Sequence, residues 1–373
     1  MRVLHVTQTY YPDTRGGIEE VIRQIAINTS SFGVETRVFA LSRNPTPSII
    51  KIDGVKIYRA SLTAKIASCG VSITALKLFK DLADWAQIIN YHFPWPFMDL
   101  LSLIANSSSK MVVTYHSDVV RQKKLLILYK PLMSHFLNRA DVIVATSDNY
   151  VNSSDILQKY KEKINTISIG ISKESYPIPT KKELVKIKGL VGHDFFLFVG
   201  TLRKYKGLNF LLNALKDTNL KCVIAGSGPE WKKLKNLAQN LKLKNIVFLG
   251  RVSDSEKVTL IKLSRAVVLP SHLRSEAFGV VLLEGAMYKK PLISTEISTG
   301  TSYVNIIGKT GLVVPPANAD ALKKAMLLLD GDRKLSKKMG ETAFKRYNKF
   351  FKGSSMGYQY GKIYKNLLKA DDA

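Results

Sequence analysis

The sequence predicts an α/β chain built from two doubly wound domains in tandem, and three observations predict it. Short β-rich apolar runs alternate with segments long enough for crossover helices. Two such series occur, one in each half. The length of 373 residues exceeds one ordinary core, which takes roughly 100–200 residues.

The first series opens with Val3 to Thr7, a polar loop ending in Gly16-Gly17, and a stretch in which Ile18, Val21, Ile22 and Ile25 recur at helical spacing. Its further strands are expected at Glu35 to Ala40, Ile88 to Tyr91, Met111 to Tyr115 and Val142 to Thr146. A Lys-rich, Pro-containing stretch from Tyr176 to Gly189 reads as a linker. After it, strands are expected at Phe195 to Val199, Lys221 to Ala225, Ile246 to Phe248, Ala266 to Leu269, Pro291 to Ser294 and Gly311 to Val314. The domains are therefore set at residues 1–185 and 186–350. Residues 351–373, with Phe351, Met356, Tyr360, Ile363, Tyr364 and Leu367 near helical spacing, read as a terminal helix packed back on the other domains. Ligands of doubly wound sheets sit beyond the carboxyl ends of the strands, so the expected active site is a central cleft that the two domains face.

Composition narrows the function. Hydrophobic residues make up 46% and charged residues 23%, without repeats or low-complexity tracts, so the chain should fold throughout. The first residues lack the long apolar core of a secretory signal, and no apolar run approaches the ~20 residues of a spanning helix. A cytoplasmic location is expected. Cys69 and Cys222 lie far apart without His or Cys at ligand spacing, which predicts buried thiols and no metal site. The 56 Lys and Arg against 29 Asp and Glu give +27, a field that attracts polyanions. Nucleic acid, an anionic membrane face and phosphorylated small molecules are the partners such a charge suits.

The densest motif runs from the strand Ala266–Leu269 through Pro270-Ser271-His272-Leu273-Arg274 into Ser275-Glu276-Ala277-Phe278-Gly279 and a helix containing Glu284. Unpaired N–H groups and a partial positive charge at a helix start favour phosphates, and a loop carboxylate there accepts hydrogen bonds from sugar hydroxyls. The second motif is Gly200-Thr201-Leu202-Arg203-Lys204-Tyr205-Lys206-Gly207, where cations cluster beyond a strand end. Fixed cations there stabilise charge developing on a leaving phosphate, without a divalent metal. Gly16-Gly17 before a helix is also phosphate-friendly, since glycine allows close backbone approach.

These residues resemble the retaining family-4 glycosyltransferases, whose fold is GT-B: two Rossmann-like domains facing a central cleft. Pro270-Ser271, Glu276, Glu284-Gly285-Ala286, Pro291-Leu292-Ile293 and Gly311 to Pro316 carry the resemblance, with Gly16-Gly17 in the first half. It implies that the second domain holds the nucleotide sugar and the first the acceptor. Glu284 would hold the ribose. Glu276 would lie at the transferred sugar, with the amides of Ala277, Phe278 and Gly279 on its hydroxyls or on the phosphates. Gly17, Gly200, Lys206 and Arg203 complete the expected donor side. Lys206 matches the family lysine, whereas the arginine expected directly after Gly200 is here Thr201, with Arg203 its substitute. His116 matches a histidine near the sugar, and Glu276, His116, Lys206 and Arg203 form the expected catalytic set. Gly16, His92 and Asp118 are assigned to the acceptor side. Gly226 to Glu230 should shape the nucleotide pocket, with Gly250 to Ser253 running near the base.

A closer resemblance rests on Tyr10-Tyr11-Pro12-Asp13-Thr14, Asn90-Tyr91-His92-Phe93-Pro94 and Ser271 to Gly279. It is to bacterial mannosyltransferases of lipopolysaccharide O-antigen assembly, and it implies GDP-mannose as donor and a polyprenyl-diphosphate-linked saccharide as acceptor. No cofactor or metal is implied. Arg121 to Lys124 ahead of Leu125 to Lys130 suggests a peripheral contact with an anionic membrane, at the cytoplasmic face of the inner membrane. Other readings are a transferase of another GDP- or UDP-sugar, a nucleotide-sugar epimerase of the same fold, and a basic nucleic-acid-binding protein. The last lacks any recognised nucleic-acid motif, so no nucleic-acid partner is expected.

Overall fold

The computed structural model describes residues 1–66, 68–105, 108–119 and 123–370, without the side chains of 123–126. Its contacts divide the chain into two units, Met1–Gly170 joined by the C-terminal segment from Gly353, and Ile171–Lys352.

The strands of the first unit are β1 (Arg2–Val6), β2 (Glu35–Ser42), β3 (Ile49–Ile52), β4 (Val55–Ser61), β5 (Ala64–Ile66), β6 (Cys69–Val71), β7 (Ile88–Phe93), β8 (Lys110–Tyr115), β9 (Val142–Ala145) and β10 (Ile164–Thr166). Eight of them form one sheet in the order β10-β9-β8-β7-β1-β2-β4-β3, parallel except for the β3–β4 hairpin. β5 and β6 pair separately. All six residues of β7 are buried, as a central strand covered on both faces requires. The hairpin is an element that the sequence reading did not include, although Asp53-Gly54 between two apolar runs is a turn signal. Both residues have positive φ, 48° and 83°, which matches the twist of a two-residue hairpin.

The terminal helix Gly353–Lys369 packs on the first helix, Gly17–Thr29. A Cβ on Gly357 would lie 2.5 Å from the Asn28 carbonyl oxygen, so the two backbones meet through glycine. The terminal segment thus belongs to the first unit.

The second unit carries β11 (Phe196–Val199), β12 (Cys222–Ala225), β13 (Ile246–Gly250), β14 (Ala266–Leu269), β15 (Leu292–Thr295) and β16 (Gly311–Val314). All its pairs are parallel, in the order β13-β12-β11-β14-β15-β16. All six strands lie within one or two residues of the expected runs, because each is a short stretch built mainly on apolar residues. The presumed linker is corrected by the structure. Lys181–Val191, which begins in it and runs past its end, is a helix, closed at its start by a capping box between Thr180 and Glu183, and it belongs to the second unit.

Strand order reverses between β11 and β14 in the second unit and between β1 and β7 in the first. Loops leaving such neighbouring strands diverge and open a crevice at their carboxyl ends. The dense motifs sit at these two switch points.

Candidate functional site

Beyond β11 the chain turns through Gly200 and reaches Gly207, which has φ +70° and begins the helix Leu208–Leu215. A Cβ on Gly207 would lie 2.0 Å from the Pro270 carbonyl oxygen, so only glycine lets this loop touch the loop that follows β14. The His272 N–H donates to the Tyr205 carbonyl at 2.9 Å and ties the two loops together. Lys206 is thereby carried onto Glu276, and its Nζ forms an ion pair with Oε2. Ser271 Oγ donates to the same oxygen at 3.0 Å. Burial works against the charge of Lys206, yet Glu276 beside it holds the ammonium pKa above the ordinary lysine value.

Glu276, expected as a loop carboxylate, is buried and paired. Its other oxygen, Oε1, has no hydrogen-bond partner among the described residues. Arg203 is exposed, and its charge is felt at Lys206. The turn from Gly226 to Glu230 packs against the same loop: Leu202 N–H donates to Ser227 O at 3.0 Å, and Glu230 N–H to Leu202 O at 3.1 Å.

The backbone from Glu276 to Gly279 is held from one side. Thr299 Oγ1 donates to the Glu276 carbonyl at 2.8 Å, and the Gly300 N–H to the Ala277 carbonyl at 2.7 Å. The N–H groups of Ala277, Phe278 and Gly279 donate to no described residue. They precede the helix Val280–Met287, whose own first N–H groups share their direction of need. An edge of unpaired donors beside an ammonium suits phosphate or hydroxyl oxygens.

Glu284 lies in that helix, 5% exposed, and its Oε1 accepts from Lys257 Nζ at 2.7 Å and from Tyr176 OH at 3.0 Å. The sequence reading missed Lys257 and Tyr176, and gave Ser271, which it named in the motif, no role. Lys257 follows the Gly250 to Ser253 loop by one helical turn, which was a usable signal. Tyr176 stood in the stretch taken as linker, where nothing local marks it.

At the switch point of the first unit, three buried histidines bond in line. His5 Nδ1 meets His92 Nε2 at 2.8 Å, and His92 Nδ1 meets His116 Nε2 at 2.9 Å. Both ring nitrogens of His92, which the sequence reading assigned to the acceptor side, are thereby engaged within the line. Burial pushes the pKa of His5 and of His116 down to about 3, and burial followed by the two neighbouring rings lowers His92 well below 6.5.

Asp118 serves its own loop: its Oδ1 accepts from Tyr115 OH at 2.9 Å and Ser154 Oγ at 2.6 Å. Gly16 and Gly17 do start a helix, but the Glu19 carboxylate folds over Gly16, where a Cβ would lie 2.6 Å from Oε2. That carboxylate accepts from Thr9 at 3.2 Å and also from Thr14. A negative charge in this place works against the phosphate contact expected there. Cys222 is buried and Cys69 only half-buried, against the expectation of two buried thiols. Arg121 and Gln122 lie outside the described residues, as do the side chains of 123–126.

The three histidines set an acid limit. Below about pH 6.5 the unfolded chain takes up protons that the folded rings refuse until about pH 3, so their share of stability is present above 6.5 and lost as the pH falls. Each ring should cost about 1.4 kcal/mol per pH unit in that window. Denaturant titrations at pH 7 and pH 5 should show the loss, and a His5→Phe variant that still folds should lose less; equal slopes in the two proteins would refute the assignment.

The chain matches the family described as Glycosyltransferase Family 4 over residues 15–175 and that described as Glycosyl transferases group 1 over residues 180–346. It is 49% identical over 351 residues to D-rhamnosyltransferase WbpZ of Pseudomonas aeruginosa, covering 94% of this chain and 92% of that protein. It is 44% identical over 370 residues to O-antigen chain mannosyltransferase C of Escherichia coli, covering 99% and 100%. In fold it is similar to HepE of Anabaena, solved in complex with UDP-glucose, with a TM-score of 0.82 at 16% identity over 98% of this chain and 100% of that one. With two Rossmann-like units, the loops of their switch points and these relatives in agreement, the chain belongs to the family-4 glycosyltransferases of group 1 and has the GT-B fold.

Proposed function

We propose that this glycosyltransferase moves mannose from GDP-mannose to a polyprenyl-diphosphate-linked saccharide in lipopolysaccharide O-antigen assembly, with retention of anomeric configuration and without a divalent metal. The observation that carries the reading is the Lys206–Glu276 pair beside the unpaired amides of Ala277, Phe278 and Gly279. Lys206 and the exposed Arg203 would take the charge that grows on the leaving phosphate. Glu276 would offer Oε1 to a sugar hydroxyl, Glu284 would hold the ribose, and His116 would contact the sugar.

The bond from C1 to the phosphate oxygen breaks while one from C1 to the acceptor oxygen forms on the same face, and the acceptor proton passes to the leaving phosphate. No side chain is assigned as a nucleophile of the kind used in retaining hydrolysis. Trapping a covalent sugar adduct on the protein would overturn that step.

The relative at 49% identity favours a second donor. D-rhamnose, the sugar named for the P. aeruginosa protein, is mannose without its 6-hydroxyl, so GDP-D-rhamnose is the second donor to test here. Incubation of the protein with GDP-mannose, GDP-D-rhamnose and UDP sugars, with a panel of lipid-diphosphate saccharides and with EDTA, should give acceptor-dependent, EDTA-resistant transfer from a GDP sugar. Turnover of a UDP sugar alone, or conversion of the donor without acceptor, would replace the reading.

The two carboxylates divide the work. Removing a hydrogen bond to a charged group costs about 1.5–3 kcal/mol, so Glu284→Ala should raise the donor KM by about 10- to 100-fold, whereas Glu276→Ala should act mainly on kcat. Equal effects on both constants would undo that division.

We also propose that the enzyme works against the anionic cytoplasmic face of the inner membrane. No helix among the described residues is long and apolar enough to cross a bilayer. On the helix Lys123–Arg139, however, Ile127 and Leu128 are 73% and 80% exposed, and the helix Pro96–Leu101 packed beside it exposes Leu100. Apolar side chains in a chain of net charge +27 suit an anionic leaflet. The double change Ile127→Glu and Leu128→Glu should weaken sedimentation with phosphatidylglycerol vesicles by about tenfold or more, as the loss of two buried side chains implies; unchanged binding would discard this surface.

A further inference from the structure

His5, His92 and His116 stand on three adjacent strands of the first unit, at the carboxyl ends of β1, β7 and β8. In register His5 faces Asn90 and His92 faces Thr114, so each ring lies two residues further along than the register partner of the ring before it. The rings lie edge to edge, with centroids 5.1 and 5.2 Å apart and planes within 24° and 23°, as bonds between ring nitrogens in line require. The layer beneath is closed on itself. Asn90 Nδ2 donates to Tyr364 OH at 2.9 Å, Thr114 Oγ1 donates to Asn90 Oδ1 at 2.8 Å, and Thr114 meets Tyr360 OH at 3.0 Å. Nothing in that layer competes for the imidazoles.

We propose that His5 and His92 are positioning residues for His116, and that the three neutral rings form one head-to-tail line that fixes the orientation of His116 and ties its tautomer to theirs.

The connectivity dictates the coupling. A neutral imidazole has one N–H and one lone pair, and both bonds in the line run from an Nδ1 to an Nε2. If His5 carries its proton on Nδ1, then His92 Nε2 must accept, His92 Nδ1 must donate, His116 Nε2 must accept, and the outer Nδ1 of His116 is a donor. If His92 donates from Nε2 instead, every proton sits on Nε2 and the outer Nδ1 is an acceptor. Mixed states break a buried hydrogen bond and leave a ring nitrogen stranded without a partner. The inner end is sealed: His5 Nε2 is buried and has no partner among the described residues. A proton cannot run through a line closed at one end, so the line acts as a lock and not as a relay. Burial that holds the rings uncharged keeps the lock intact at neutral pH.

The functional part rests on the reading of His116 as a sugar contact. Tied to two buried partners, the ring can change the hydrogen bond that it offers the sugar only if all three rings change together, where a free histidine would divide itself between two tautomers on its own.

The test is a nitrogen-15 NMR measurement on the full chain with labelled histidine, using ring nitrogen shifts to assign each tautomer. The expected result is one tautomer shared by His5, His92 and His116 at pH 7. A different tautomer on any one of them, or a charged ring, overturns the proposal. In parallel, a folded His92→Leu variant should lose about tenfold or more in kcat, the size of effect expected when a group that orients a contact is lost, while the donor KM changes little. His92→Asn, whose amide offers a donor or an acceptor near the place of Nδ1, should recover part of that loss. Unchanged kcat in His92→Leu removes the positioning role. If His116→Ala alone also leaves kcat unchanged, the fault lies in the sugar-contact reading, and the shared tautomer then stands or falls on the NMR result by itself.

Discussion

The approach of two loops in the second unit, with Gly207 laid against the Pro270 carbonyl, is the constraint on which the candidate site depends. It is available only to a residue without a Cβ, and it brings Lys206 to Glu276 across 70 residues of sequence. An ammonium and a carboxylate taken out of water lose much of their solvation, which their attraction restores only when the geometry is good. Here Ser271 adds a hydrogen bond to the same carboxylate oxygen, and Thr299 and Gly300 hold the backbone beside it. What is left without a partner among the described residues is one carboxylate oxygen and a row of amides, a surface complementary to sugar hydroxyls and phosphates.

Glu284 repeats the theme from the next helix. Two separate segments supply Lys257 and Tyr176 to one of its oxygens, so the carboxylate is oriented before any ligand arrives. Pre-set groups of this kind need little rearrangement when charge develops near them, and that is where electrostatic stabilisation is most effective. The first unit achieves fixity by another route, through buried, uncharged rings that orient one another across adjacent strands. One unit thus uses opposite charges and the other uses matched lone pairs and protons.

Several expectations changed for identifiable reasons. His92 reads in the sequence as a strand-end residue open to a ligand, but His5 of β1 and His116 just past β8 engage both its nitrogens. Gly16 and Gly17 suggest a phosphate cradle until Glu19, three positions on, is seen to fold back across them. Asp118 is engaged by Tyr115 and by Ser154 from a later segment. In each case a partner remote in sequence, or a side-chain direction, decided the role.

The sequence by itself determined the alternation of strand and helix, the two tandem sheets, and the residue types of the donor motif. Those follow from local apolar runs and from short spacings such as Ser271 to Gly279 and Glu276 to Glu284, which stay legible without knowledge of the fold. The β3–β4 hairpin was legible too, in Asp53-Gly54. Only the tertiary structure decided which charges meet. Lys206 with Glu276, Lys257 and Tyr176 with Glu284, and the line from His5 to His116 are pairings set by strand order and loop contact. Strand order arises from packing whole elements against one another, and no short stretch of sequence encodes it.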